Sequence, residues 1–439
     1  MSEVLGGAKG TRTGATSEAP GAAEAARRIR AGTLTSEAIV RACLDRIAAR
    51  ERDVGAWTCI DPDRALAAAR DADRRDAAGP LHGVPIAAKD IIDTFDMPTA
   101  LGFAPYSGRQ PSWDAACVAA CRRAGAIVLG KTVTTEFAYF APGKTRNPHD
   151  LDATPGGSSS GSAAAVADGM VPIAFGSQTA GSLVRPAAFC GIYGYKASHG
   201  EFSLAGIRPL SESLDSLGVM ARCVEDLQLM RDVLLNRAST TARATRSQPP
   251  RLALFRTLHW QALQPAARAA LEAAVERLRG AGARVEDIEP PASLRPMEGA
   301  QRIVMAYEAA HGYLFEYMHY AEELSAQFRA LCDEGRSLTR DTYLEARKQI
   351  AIAQADFARA FSGFDGWIAA SALGEAPPAS EGTGDPVLSR PWTALQAPAV
   401  ALPAGRGPRG LPVGVQLLAP KGSDDALLAT AQWVADHLA

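Results

Sequence analysis

The stretch at 154–198, TPGGSSSGSAAAVADGMVPIAFGSQTAGSLVRPAAFCGIYGYKAS, constrains the fold of this chain more than any other. Two loops of small residues, 155–162 and 176–182, flank an apolar segment. Runs this rich in Gly and Ser are either flexible linkers or places where backbone must come close to a ligand. The segments 163–167 and 171–175 are apolar and need a core around them, which argues against a linker. The stretch therefore reads as a buried functional loop pair.

A chain of 439 residues can bury a large core, and large α/β enzymes of this size often fold as one unit. With 47% hydrophobic and 21% charged residues it has an ordinary globular composition, and a net charge of -2 gives no reason to expect nucleic acid or an anionic membrane as partner. The seven cysteines (43, 59, 117, 121, 190, 223 and 332) are scattered, and an odd count argues against a complete disulfide framework. Cys117 and Cys121 share a helix face and read as core. There is no CxxC or HExxH, and the seven histidines do not cluster, so no metal is expected. Residues 1–20 lack the apolar run of a secretory signal and read as a flexible tail on a cytoplasmic protein. No apolar run approaches the ~20 residues of a membrane span.

Along the chain, apolar spacing predicts helix from 22 to about 75, capped at Thr35 or Ser36. A short strand at 83–86 contains Pro85, which suits an edge or a strand end, and leads into Lys89. A helix at 114–124, a strand at 126–129 and a helix at 224–236 follow, and 238–250 reads as an exposed connection. Strands begin at 251, 366, 399 and 413, a helix covers 264–281, and 297–361 is mostly helical with Tyr307, Tyr313, Phe315, Tyr317 and Tyr320 as core or pocket lining. The sum is an α/β protein: a three-layer α/β/α sandwich around a central mixed, twisted sheet. One domain is expected over 21–439, with a core at about 80–235 and a helical excursion at about 260–362.

Hydrolysis by an acyl-enzyme needs a nucleophile, a proton acceptor and donors for an oxyanion. Ser182 follows Thr179, Ala180 and Gly181, whose small side chains let backbone N–H groups converge. No histidine is near in sequence, so a Ser-His-Asp arrangement would have to recruit His82, His149 or His199. Lys89, among Pro85, Ile86, Ala87, Ala88, Ile91 and Ile92, is the other base; burial lowers a lysine pKa. Its head is either neutral and catalytic or paired at the surface with Asp90 or Asp93. Residues 157–161, GSSSG, fit the G-x-S-x-G nucleophile elbow with Ser159 at its centre, but the preceding LDATP is not the hydrophobic strand that motif requires.

Residues 156–169 (GGSSSGSAAAVADG) and 176–196 (GSQTAGSLVRPAAFCGIYGYK) resemble the amidase signature family, as do HGVPIAAKD at 82–90, GAIVLGKTVTTEFA at 125–138 and ALPAGRGPRGLPVGVQLLAP at 401–420. The resemblance implies the family fold and a Ser-cisSer-Lys triad without cofactor or metal. In it Ser182 is the nucleophile, Ser158 the bridging serine after Gly157 on a cis peptide, and Lys89 the base. The N–H groups of Thr179, Ala180, Gly181 and Ser182 would form the oxyanion hole. Lys131, Glu136 and Lys196 match family positions and read as structural.

The chain departs from the pattern at Ser160 and Ala180, where Gly is common, and at Gln178, where Asp is common. Gly157, Gln178 and Arg185 are the expected substrate-binding residues. Arg185, three residues after Ser182, resembles the arginine with which malonamidase-like members meet a substrate carboxylate; a structural ion pair is the other reading. Pocket walls are expected from 305–320, Phe140 and 374–378. The function expected is hydrolysis of a small carboxamide, with or without a carboxylate, by a cytoplasmic homodimer. The alternatives are an amidotransferase subunit that feeds ammonia to a tRNA-acting partner, and an inactive binding protein on the same scaffold.

Overall fold

The computed structural model of the chain describes residues 20–237 and 246–438. The expected tail at 1–20 and part of the connection at 238–250 lie almost wholly outside the described residues. Eleven strands join in one sheet: β1 (Trp57–Ile60), β2 (Pro85–Lys89), β3 (Ile127–Thr132), β4 (Ile173–Gln178), β5 (Tyr193–Lys196), β6 (Ser216–Ala221), β7 (Arg251–Leu254), β8 (Arg284–Asp287), β9 (Gly366–Ala370), β10 (Ala399–Arg406) and β11 (Pro412–Leu418). Their order is β1-β3-β2-β4-β6-β5-β10-β11-β9-β7-β8. β2 runs parallel to β3 and β4, and β7 parallel to β8 and β9; the remaining pairs are antiparallel, so the sheet is mixed.

The apolar runs of β2, β3 and β4 are buried along their whole length, as inner parallel strands must be. Pro85 is the first residue of β2, where a missing N–H does least harm, and that strand is an inner one rather than an edge. Lys89 is its last residue. β4, parallel to β2, ends at Gln178, so the loop 179–182 emerges at the same carboxyl edge, the customary ligand side of parallel strands.

The helix Ser160–Ala167 lies on β3 and β4 because its residues are small enough. A Cβ on Gly161 would come within 2.2 Å of the Ala56 carbonyl oxygen, and the Gly161 N–H donates to Val133 O at 3.0 Å. Ser162 Oγ donates to Phe175 O and meets Thr132 Oγ1, both at 2.7 Å, fastening the helix to both strands.

Five strands, β1, β4, β5, β6 and β8, go beyond those the sequence predicts. The expected helix at 22–75 is broken by β1 between the helices Ser36–Val54 and Pro62–Asp73, each capped by a side chain, Thr35 and Asp61. β8 forms one edge of the sheet with Val285 as its only buried residue, too little apolar pattern to signal a strand. Helices then cover Met297–Gly312, Leu314–His319, Ala326–Ser337 and Arg340–Phe361. Among the aromatics there, Tyr313 is buried, Tyr307, Tyr317 and Tyr320 are half-buried, and Phe315 is exposed at 58%, a correction to its reading as core or lining.

Candidate active site

Lys89 is fully buried at the end of β2. Its Nζ donates to Ser158 Oγ at 2.6 Å and to Ser177 Oγ at 2.8 Å; Asp90, the surface partner considered from sequence, pairs instead with Lys131 at 3.4 Å. Burial pushes the Lys89 pKa down to about 7, and the charge of Asp215 opposes the fall. Asp215 is itself buried and pushed up to about 6, held from rising further by hydrogen bonds from Thr179 Oγ1 and the N–H groups of Leu210 and Ser211.

Ser158 sits on the loop that precedes the helix Ser160–Ala167. Gly156 has φ +82°, and the Gly157–Ser158 peptide is cis. Ser159 Oγ donates to Ser177 O at 3.3 Å and accepts from Ser177 N at 3.2 Å, and Ser159 N donates to Ser182 O at 3.2 Å. That lacing carries Ser158 alongside both Lys89 and Ser182. It also occupies the Ser159 hydroxyl, which is fully buried, so the elbow motif is not an elbow here.

The carbonyls of the loop 179–182 are all taken from outside. Thr179 O accepts from Gln301 Nε2 and Ala180 O from Thr393 Oγ1, both at 2.8 Å; Gly181 O accepts from Arg185 N at 3.1 Å and Ser182 O from Ser159 N. Among the described residues, no acceptor engages the N–H groups of 179–182, and Ser182 Oγ has no hydrogen-bond partner. The loop thus turns its carbonyls into the protein and leaves its donors free. A pocket opens there, lined by Ser158, the loop 179–182, Arg185, Tyr139, Phe140, Leu210, Met305, Thr383 and Pro386.

Arg185 is buried, with Nη2 donating to Gly157 O at 2.7 Å and to Thr383 Oγ1 at 3.3 Å. Its Nε and Nη1 have no partner, and no carboxylate lies within ion-pair distance of it among the described residues. The structural ion pair considered from sequence is absent. Burial first, and then the nearby Arg390 cation, push its pKa down to about 9.

Gln178 must be corrected as a substrate contact. It is fully buried beneath the loop, with Oε1 accepting from Leu183 N and Val184 N at 3.1 and 3.0 Å and Nε2 donating to Thr393 Oγ1 at 3.0 Å. In the place where an aspartate is common it caps the first turn of the helix Val184–Phe189. Gly157 reaches the site through its carbonyl, the acceptor for Arg185. His82, His149 and His199 each contact a backbone carbonyl (Ala72, Cys190 and Glu212) away from the pocket. Lys131, Glu136 and Lys196 hold neighbouring loops: Lys131 donates to Thr99 Oγ1 at 2.6 Å, Glu136 accepts from Ser325 N at 3.1 Å and Lys196 donates to Ala197 O at 2.9 Å.

Sequence reasoning missed Ser177, Asp215, Gln301, Thr383, Arg390 and Thr393. Only Ser177 and the residues at 383–393 carried a signal, one within the Gly/Ser loop and the other beside the Pro- and Gly-rich run 382–391. No described group of His, Cys, Asp and Glu could hold a metal ion, and no described helix is long and apolar enough to cross a membrane.

Two solved structures with this fold are described as amidases. One described as an amidase superposes with TM-score 0.88 at 29% identity, over 96% of this chain and 100% of the other. The native peptide amidase from Stenotrophomonas maltophilia gives 0.82 at 29% identity, over 97% of each chain. The class is therefore that of hydrolases acting on amide bonds. A family model described as amidase matches residues 38–428, and the chain belongs to the amidase signature family. A sequence relative, a subunit of the glutamyl-tRNA(Gln) amidotransferase of Acidothermus cellulolyticus, is 34% identical over 92% of this chain and 92% of its own.

Proposed function

We propose that this protein hydrolyses the C–N bond of a compact carboxamide that bears a carboxylate. Ser182 attacks the carbonyl carbon; its proton passes to Ser158, whose own proton passes to neutral Lys89. The oxyanion forms against the free N–H groups of 179–182. The proton held by Lys89 returns by the same route to the leaving nitrogen, the C–N bond breaks, and ammonia or an amine departs. Water then adds to the ester of Ser182, Lys89 taking its proton through Ser158; the C–O bond to Ser182 breaks, the proton returns through Ser158 to Ser182 Oγ, and the acid is released. The observation that carries this reading is the contact of a buried, easily neutralised Lys89 with Ser158 beside an unpartnered Ser182 hydroxyl.

Arg185 supports the carboxylate: a buried guanidinium with two unpartnered nitrogens in the wall of the pocket is the complement of a planar anion. The seven free cysteines favour work in a reducing, cytoplasmic compartment.

A second reading is an amidotransferase component that draws ammonia from glutamine, favoured by the likeness to the glutamyl-tRNA(Gln) amidotransferase. The cavity that adjoins the pocket carries Glu375, Glu381 and Asp385, which could meet the ammonium of an amino acid. Ammonia release by the purified chain alone, from succinamate, butyramide and glutamine, separates the two. We expect succinamate to be hydrolysed and Ser182→Ala to abolish it. Preference for glutamine, or turnover only when a partner is added, supports the second reading instead.

A further inference from the structure

The polypeptide at 383–393 meets the site from the far half of the sheet, and it brings a second arginine. Arg390 opens the short helix Arg390–Ala394, and no carboxylate pairs with it among the described residues. The one hydrogen bond its guanidinium makes there runs from Nη1 to Gln301 Oε1 at 2.5 Å. Gln301 Nε2 in turn donates to the carbonyl of Thr179, the first residue of the loop that carries Ser182. Arg390 lines a cavity that adjoins the Ser182 pocket and shares Phe140 and Pro386 with it. The same segment presses on the loop itself: a Cβ on Gly181 would come within 2.9 Å of Pro386 Cβ and 3.2 Å of Ser389 Cβ.

Two unpaired guanidiniums near one another, Arg185 buried and Arg390 half-buried, are unfavourable unless an anion completes them. Elsewhere in this chain a buried arginine is matched to acids: Arg231 meets Glu201 at 2.6 Å and Asp425 at 3.1 Å. The acid whose field reaches both Arg185 and Arg390 is Asp385, which is exposed and accepts from Val387 N at 2.9 Å without entering ion-pair contact with either arginine. Burial lowers the pKa of Arg390, as it does that of Arg185.

We propose that Arg390 and Arg185 together form one seat for the substrate's carboxylate, and that Arg390, through Gln301, ties this seat to the loop bearing Ser182. Arg390 is thus a residue that sets specificity for acidic amides. The proposal rests on the amidase reading, and names the end of the substrate that does not react.

The test uses the full-length native protein, Arg390→Gln and Arg390→Lys, each checked by Tm. Succinate, the dicarboxylate probe, is titrated by calorimetry, and ammonia release from succinamate and butyramide is followed in parallel. Removing one charged partner of a bound carboxylate is expected to weaken succinate binding by about ten- to a hundredfold in Arg390→Gln and to raise KM for succinamate by a like factor. Butyramide, which has no carboxylate to seat, should lose kcat/KM by a smaller factor than succinamate, the remaining loss reporting the tie to the loop. Arg390→Lys, which keeps the charge, should recover part of the loss and serves if the Gln variant does not fold. Failure of succinate to bind the native protein, or equal losses on succinamate and butyramide as a mere prop of the loop would give, overturns the proposal. Succinate binding involves no chemistry, so a native protein that binds it yet releases no ammonia rejects the amidase reading while retaining the seat.

Discussion

In the proposed reaction Lys89 works as a base only when neutral, so the direction of its displacement fixes the pH response. Below about 7 the amine is increasingly protonated, and kcat/KM should fall about tenfold for each pH unit, levelling above that value. A pH–rate profile flat from pH 5 to 9 would contradict this. The negative charge of Asp215 holds the Lys89 pKa up, so Asp215→Asn should move the midpoint to lower pH; an unmoved or raised midpoint contradicts the assignment. The residues of this core were legible to the degree that they lie in one short motif. Ser158, Ser182 and Lys89 were named from sequence, and the structure brings Lys89 onto Ser158. Asp215 and Gln301 come from segments far away in sequence, and an isolated acid or amide carries no local pattern. Gln178 was misread because its closeness to Ser182 in sequence says nothing of its direction. It points under the loop and serves backbone N–H groups.

At the level of elements, catalysis depends on how the loop 179–182 is held. Its carbonyls are drawn inward by Gln301, Thr393, Arg185 N and Ser159 N, which frees its donors on the opposite side. Thr393 also accepts from Gln178, so its hydroxyl joins the loop to the cap of the next helix. Thr393→Val should leave Ala180 O and Gln178 Nε2 buried without partners, at about 1–3 kcal/mol of stability. Donors tilted from the oxyanion should cost about ten- to a hundredfold in kcat with a smaller change in KM. Denaturant melts and steady-state kinetics check both, and unchanged kcat in a folded variant would show that the loop keeps its shape unaided. Inner strands such as β9 and β11 and the helix Pro265–Gly280 were readable from their apolar pattern. β1 and β8 were not: four residues each, they are strands because a neighbouring edge accepts them.

Across the whole molecule, the site exists because two halves of one sheet meet. Lys89, Ser158 and Ser182 come from the side of β2 and β4, while Thr383, Arg390 and Thr393 come from the connection between β9 and β10. That connection is anchored by Trp392, packed against Phe255, Phe357 and Trp367 at ring separations of 5.2, 5.6 and 6.3 Å. Such an assembly buries charge that the sequence alone does not reveal. Lys196, fully buried outside the pocket, is pushed by desolvation from 10.5 down to about 7. A folded pKa below the unfolded one means that the unfolded chain binds more protons between those values, so stability should rise as pH climbs through that window. Lys196→Met should reduce the gain in stability between pH 6 and pH 9 by about 2 kcal/mol, measured by urea melts at both pH values; an unchanged difference would mean that Lys196 is charged in the fold. The most direct test of the account is intact-mass and peptide mapping after treatment with a serine-directed sulfonyl fluoride. The native protein is expected to gain a single adduct on Ser182, while folded Lys89→Ala and Ser158→Ala variants remain almost unlabelled at pH 7. An adduct on another serine, or labelling of Lys89→Ala at the native rate, would contradict the claim that Lys89 activates Ser182 through Ser158.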